Sequence, residues 1–250
     1  MFINPAIIFI FGLAVGSFLN VLIDRIPKGK DIIFKRSHCD HCQRELKAFD
    51  LIPLLSYLLL RGKCRYCRKK ISGQNPLVET ATGLIFVFIA AQSANKEVIY
   101  QLAVAGILIA IFAIDFKDGI IPDSLIIFLI SITFIFQILS APWAIFANLA
   151  TGLILAVFFL LLVILTRGRG MGLGDVKYAF FMGFYLGFPL SIAAFYVAFL
   201  TGAVISLILI LLRKKTLKSR VAFGPFLVTA TLISRYFGIA IINFFQRLML

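Results

Sequence analysis

Charge is scarce in this sequence, and acidic charge is scarcest. Only 14% of the 250 residues are charged, against 61% that are hydrophobic. A soluble domain of this size has no way to hide so much apolar surface, which excludes a water-soluble globular fold. A polytopic helical membrane protein can carry it, because lipid solvates the outside. Eleven residues are acidic, and beyond residue 100 only Asp115, Asp118, Asp123 and Asp175 remain. Cysteine is confined to four positions, all between residues 24 and 75, and histidine to His38 and His41. The net charge of +14 comes with no nucleic-acid recognition module, which argues against a nucleic-acid partner. Most basic residues fall in loops between apolar runs, where they set topology and meet anionic lipid headgroups.

The first apolar run, Pro5 to Ile23, has no basic stretch before it and no small-x-small cleavage site after it. It reads as a retained transmembrane helix, not a signal peptide. Within it, Gly16-Ser17-Phe18-Leu19-Asn20-Val21 offers small residues for close helix contact and Asn20 for a bond to a neighbour. Residues 24–75 form a polar insert holding 13 of the 25 Lys and Arg. Seven more apolar runs follow, at about 77–93, 98–116, 123–140, 143–165, 175–187, 189–212 and 224–245. Most approach the ~20 residues a bilayer needs, and the 175–187 run is short. Breaks fall at Ser93-Ala94-Asn95-Lys96, Pro122, Ala141-Pro142, residues 168–174, Pro189 and the basic stretch 213–220. The pattern predicts an all-α polytopic membrane protein of about eight transmembrane helices, with a small cytoplasmic insert after the first. With the insert in the cytoplasm, strict alternation puts 22 of the 25 basic residues on that side, leaving Lys96, Arg235 and Arg247. The positive-inside rule selects this orientation, with both chain ends outward. Arg235 stands near the middle of the last run with no acid close in sequence.

Cys39-Asp40-His41-Cys42 and Cys64-Arg65-Tyr66-Cys67 are two C-x-x-C knuckles separated by 21 residues. Four thiolates so arranged match a tetrahedral structural Zn²⁺ site, and a fifty-residue segment with little core gains much from a metal. A reducing cytoplasm disfavours disulfides, and a redox dithiol needs only one knuckle. His38 and His41 read as solvated neighbours, since Cys39, Cys42, Cys64 and Cys67 already complete four-coordination. The apolar stretch Phe49 to Leu60 between the knuckles is too short to span. It lies along the membrane surface or packs on the metal site.

A carboxylate at the edge of hydrocarbon is a functional-site hypothesis by default. Asp123 directly precedes an apolar run and fits a helix N-cap. Asp118 fits a solvated turn beside Lys117 and Gly119. Asp115 ends a run, where the helix dipole disfavours an anion, and Asp175 opens one, where the dipole favours it. Gly172 and Gly174 allow positive φ or a close approach of an extended substrate before Asp175. A glycine turn with an Asp cap is the plain structural alternative. Two carboxylates held together share a proton, which is the chemistry of an aspartic protease. The ionised partner takes a proton from a water between them, and the protonated one polarises the scissile carbonyl.

At these residues the chain resembles the type IV prepilin peptidase family, over nearly its whole length. The resemblance is carried by Gly16 to Val21 with Asp24-Arg25-Ile26-Pro27, by the two knuckles flanking Ile52 to Cys64, and by Pro76-Leu77-Val78-Glu79. It is carried further by Asp115, by Pro122-Asp123 and by Gly172-Leu173-Gly174-Asp175-Val176-Lys177. One departure is Gln74-Asn75, where the family often has Arg-Tyr. The resemblance implies an enzyme that cleaves the basic leader of prepilins and pseudopilins after a glycine on the cytoplasmic side. It then N-methylates the new terminal residue with S-adenosylmethionine. It implies Asp115 and Asp175 as the catalytic pair, with Gly172, Gly174 and Asp123 supporting the loop, and a bacterial inner-membrane location. No glycine-rich dinucleotide-type loop marks a methyl-donor pocket. Glu79 is a candidate for the methyl-transfer half, beside a charge role at its helix start. On this reading residues 1–23 are the first transmembrane helix, 24–75 the four-cysteine zinc domain and 76–250 the peptidase domain. The partners are prepilin substrates and membrane lipids, and oligomeric state stays open. Two rivals are a proton-coupled transporter, against which stands the lack of an inverted repeat, and a zinc-bearing membrane scaffold for secretion.

Overall fold

In lipid a backbone must bond to itself, so each apolar run between breaks becomes a helix. The computed structural model describes residues 4–32, 37–39, 41–92, 97–168, 170–213 and 222–249. The expected break at Ser93-Ala94-Asn95-Lys96, residues 214–220 of the basic stretch, Asp40 and Arg169 lie outside the described residues. The helices are α1 (Pro5–Arg25), α2 (Leu55–Leu59), α3 (Gln74–Gln92), α4 (Val98–Asp118) and α5 (Asp123–Ser140). They continue with α6 (Ile145–Leu165), α7 (Leu173–Leu186), α8 (Leu190–Leu211) and α9 (Gly224–Met249). Each of the eight expected runs is a helix, and the described residues hold no strand, only two isolated bridges. Among the described residues, seven helices are long and apolar enough to cross a membrane. The eighth, α7, has 14 residues and reaches about 21 Å, short of the ~30 Å hydrocarbon core. The described residues group into two compact units, Met1–Ala110 and Ile111–Leu250, with α4 contributing to both.

In the first unit the backbones of α1 and α3 touch. A Cβ on Gly12 would stand 2.7 Å from Gly83 Cα, and one on Gly16 would stand 2.6 Å from Glu79 Cα. No side chain fits at those distances, so the small residues of α1 are there for close approach. One turn on from Gly16, Asn20 Nδ2 donates to the Asn75 carbonyl at 3.1 Å. This is a cross-helix bond the sequence allows, beside the plainer reading of packing alone. Phe86 and Ile89 of α3 are buried in the same unit.

In the second unit α7 is the core. Tyr178, Ala179, Phe181, Met182 and Phe184 are fully buried. Protein surrounds α7, which is why a helix too short to span is tolerated. On one side α6 meets it backbone to backbone, where a Cβ on Gly183 would stand 2.7 Å from Gly152 Cα. On another side, Tyr178 Oη donates to Thr231 Oγ1 of α9 at 3.0 Å. The carbonyl of Phe184, near the C-terminal end of α7, accepts Gln137 Nε2 of α5 at 2.9 Å, and Gln137 Oε1 accepts Asn148 Nδ2 of α6 at 3.3 Å. A side chain from α5 thus takes up a last-turn carbonyl that the helix itself leaves unpaired. Arg235, unexplained by sequence, stacks its guanidinium 5.6 Å from the Tyr185 ring centroid of α7. Phe195, Phe199 and Phe223 pack ring on ring, tilted at 4.5 Å and edge to face at 5.1 Å between centroids, and so fix the start of α9 against α8.

The α6–α7 contact makes a prediction. Gly183→Val should force these helices apart and cost about 1–3 kcal/mol, read as a lower Tm in detergent. Gly73→Ala, with nothing within 4 Å of its Cβ position, should leave Tm unchanged.

Candidate active site

The two carboxylates come together from different helices. Asp115 lies one turn before the end of α4 and is 5% exposed, and Asp175 is the third residue of α7 and 8% exposed. They are near enough for the charge of Asp115 to act on Asp175. Each is held by a backbone amide. Gly224 N–H, the first of α9, donates to Asp115 Oδ2 at 2.9 Å, and Gly172 N–H donates to Asp175 Oδ2 at 2.9 Å. Asp175 therefore closes half of a capping box on the start of α7, where a negative charge is favoured. Asp115 differs from what its own helix implies. It ends α4, but it faces the amino end of α9, whose dipole favours the anion that the end of α4 disfavours.

Sequence reasoning missed Gly224. A Cβ there would stand 2.9 Å from Asp115 Cγ, so only glycine lets the amide reach the carboxylate. The signal was the Gly224-Pro225 pair that opens the last run. Gly174 makes another close approach: a Cβ there would stand 3.1 Å from Ile121 Cβ, and Ile121 would have to give way. Neither Gly172 nor Gly174 uses positive φ, whereas Gly119 in the facing loop does, at 69°. Gly119 turns the chain out of α4, and Ile121 then packs on Gly174. Asp123 makes no capping bond. It is the first residue of α5, and both its oxygens accept Lys177 Nζ at 2.7 Å, tying the starts of α5 and α7. The pair is half exposed, so it adds little stability. Asp118 is exposed, as expected.

In the insert, the Sγ atoms of Cys39, Cys42, Cys64 and Cys67 all lie within 4.8 Å of one another. Cys39 and Cys67 Sγ are 3.9 Å apart, close to the about 3.8 Å between sulfurs around a tetrahedral ion with 2.3 Å bonds. All four are free thiols, and neither described histidine joins them. The two knuckles are built alike. Cys39 N–H donates to Arg44 O and Gln43 N–H to Cys39 O; 25 residues on, Cys64 N–H donates to Lys69 O and Arg68 N–H to Cys64 O. Gln43 and Arg68 both adopt left-handed φ, at 55° and 59°. Arg44 of one knuckle stacks 5.0 Å from the Tyr66 ring centroid of the other. The backbone amide of Cys67 is the main influence that lowers the Cys64 thiol to about 7. The Lys69 amide favours a Cys67 thiolate, but burial and the neighbouring thiols outweigh it and push that thiol up to about 11. Four thiolates this close need a cation to neutralise them, and the cluster can hold a metal ion.

Glu79 is 7% exposed. Its Oε2 accepts the Leu54 N–H at 2.7 Å, and its carboxylate also accepts Ser17 of α1. It ties the insert to α3, and Leu54 takes a left-handed φ of 59° there.

Comparison with known proteins places the chain in a family. The family described as "Bacterial Peptidase A24 N-terminal domain" matches residues 10–93, which include the four cysteines and Glu79. The "Type IV leader peptidase family" matches residues 102–207, which include Asp115 and Asp175. The prepilin leader peptidase/N-methyltransferase of Aeromonas hydrophila is 32% identical, over 96% of this chain and 93% of its own. The protein of that name from Bacillus subtilis (strain 168) is 30% identical, over 98% of this chain and 99% of its own. The one from Legionella pneumophila is 31% identical, over 94% of this chain and 92% of its own. No solved structure matches.

The thiol geometry predicts one bound metal per chain in elemental analysis of the purified protein. Cys64→Ser should lower that content severalfold and speed proteolysis within residues 24–75, leaving the α7 region unchanged.

Proposed function

The chain belongs to the type IV leader peptidase family, and on that premise we propose that it is an intramembrane aspartic peptidase with Asp115 and Asp175 as its catalytic pair. Its substrates are type IV prepilins and pseudopilins, whose basic leader it cuts after glycine on the cytoplasmic side of a bacterial inner membrane. It then N-methylates the new terminal residue. The single observation that carries this reading is the meeting of two buried carboxylates, each anchored on a backbone amide at a helix start. The names of the relatives support both halves of the activity, and the basic loops support the orientation.

Two carboxylates in mutual reach hold one proton between them, because the second ionisation must overcome the first charge. The ionised member draws a proton from the attacking water. The protonated member donates to the scissile carbonyl as it becomes tetrahedral. Gly224 N–H and Gly172 N–H each occupy one oxygen of their carboxylate and aim the other at the substrate. Gly172 and Gly174 keep the loop before Asp175 free of side chains, so an extended peptide can lie against it. Asp123, through Lys177, steadies the starts of α5 and α7 beside it.

In the insert, Cys39, Cys42, Cys64 and Cys67 hold Zn²⁺, which as a structural ion joins the two knuckles. The methyl group comes from S-adenosylmethionine. Glu79 serves that half as a positioning residue, fixing the insert through Leu54. On this reading residues 24–75 are the zinc domain and 76–250 the peptidase domain, after the helix at 1–23.

The test is cleavage of a synthetic prepilin by purified protein. Asp115→Asn and Asp175→Asn should each lower the rate by several orders of magnitude. Substantial cleavage by either would overturn the pair, and no leader release by the wild type would favour a transporter or scaffold. Gly224→Ala should lower kcat strongly and lower Tm as well, because its Cβ displaces Asp115 from the amide that holds it. Cys39→Ser with Cys64→Ser should suppress methylation and leave part of the cleavage.

A further inference from the structure

We propose that the insert carries a binding site for the anionic headgroup of a phospholipid, which seats the apolar face of α2 on the bilayer surface. Leu55, Leu58 and Leu59 are 55%, 62% and 76% exposed. At spacings of three and four residues they share one face of α2. Directly after that face, Leu59, Leu60, Arg61, Lys63, Cys64, Arg65 and Arg68 line a cavity of about 250 Å³. Four cationic side chains line it, and no acid does. Asp50 takes Arg65 Nε at 2.6 Å and offsets that charge, which leaves Arg61, Lys63 and Arg68 to meet an anion. Exposed leucines running into a cavity lined by exposed cations are the complement of an amphiphile with an anionic head.

The depth is right as well. Leu54, next to the first residue of α2, bonds to Glu79, the sixth residue of α3. Glu79 therefore stands about 8 Å along a helix that is itself a candidate span. An α2 tied at that level has its exposed leucines beside the end of a membrane helix, where headgroups lie. A soluble acidic partner would match the cations and leave the leucines in water. A bilayer matches both. The inference rests on the membrane setting and not on the peptidase reading, so Asp115→Asn should bind lipid as the wild type does.

The test places the full-length protein in nanodiscs of phosphatidylcholine alone, or of phosphatidylcholine with phosphatidylglycerol. Amide hydrogen exchange is followed over residues 51–71 by mass spectrometry. Exchange should be about tenfold slower or more in the anionic discs, and the protection should fade with added salt. Inorganic phosphate added to neutral discs should not reproduce it. Arg61→Glu, Lys63→Glu and Arg68→Glu together should bring exchange in anionic discs to the neutral-disc rate. Metal content is measured alongside to confirm that the insert is folded. Arg61→Gln with Lys63→Gln serves if the triple variant loses its metal. Equal exchange of the wild type in both discs would overturn the proposal. So would full anionic protection in a metal-loaded charge variant.

Discussion

Burying a carboxylate is expensive unless something answers its charge. Here two are buried within reach of one another's charge, and each is answered by a backbone amide at the start of a helix. Much of the second unit follows from that requirement. Gly224 N–H reaches Asp115 only if α9 begins where it does, and the Phe195–Phe199–Phe223 cluster fixes that point. Asp175 keeps its place only if α7 begins against the loop after α4, which Gly174 allows by yielding space to Ile121. A helix that must begin at the rim and serve a buried carboxylate need not cross the membrane. Accordingly α7 is short, wrapped in protein, and has a last-turn carbonyl capped by Gln137.

Features set by neighbours in sequence were legible before the structure. The eight runs are helices because their breaks are local, made by proline, glycine and charge. The cysteine knuckles were legible because a metal imposes its own spacing on the chain. Asn20 was legible as a cross-helix donor because a buried amide within an apolar helix has few other uses. Features set by distant partners were not. The field at Asp115 was read from the end of α4, yet the amide that answers it belongs to a residue 109 positions later. Asp123 looked like a cap because caps are local, and its true partner, Lys177, lies 54 positions away. Arg235 had no acid close in sequence, and a ring it stacks on belongs to another helix.

The glycines show the same division. Sequence could say that Gly172 and Gly174 permit unusual backbone, and not which freedom is used. The structure uses space: Gly174 yields to Ile121, and Gly224 yields to Asp115. Left-handed backbone is spent on Gly119 instead, where the chain leaves α4. At a packed rim, the absence of a Cβ is worth more than the freedom of φ.

The two chemistries are physically separable. The carboxylate pair takes its backbone partners from Gly172 and Gly224, both within Ile111–Leu250. The cysteines are braced by knuckle backbone and by Arg44 on Tyr66, and the insert is tied down by Glu79 through Leu54, all within Met1–Ala110. The insert itself has little core, and its fold draws on two ties of different kind. The four cysteines, which can hold a metal ion, bring knuckle to knuckle, and Glu79 joins the apolar link between them to a membrane helix. Losing the first unfolds the knuckles. Losing the second lets intact knuckles drift from the helices, so metal content and insert position report on different failures.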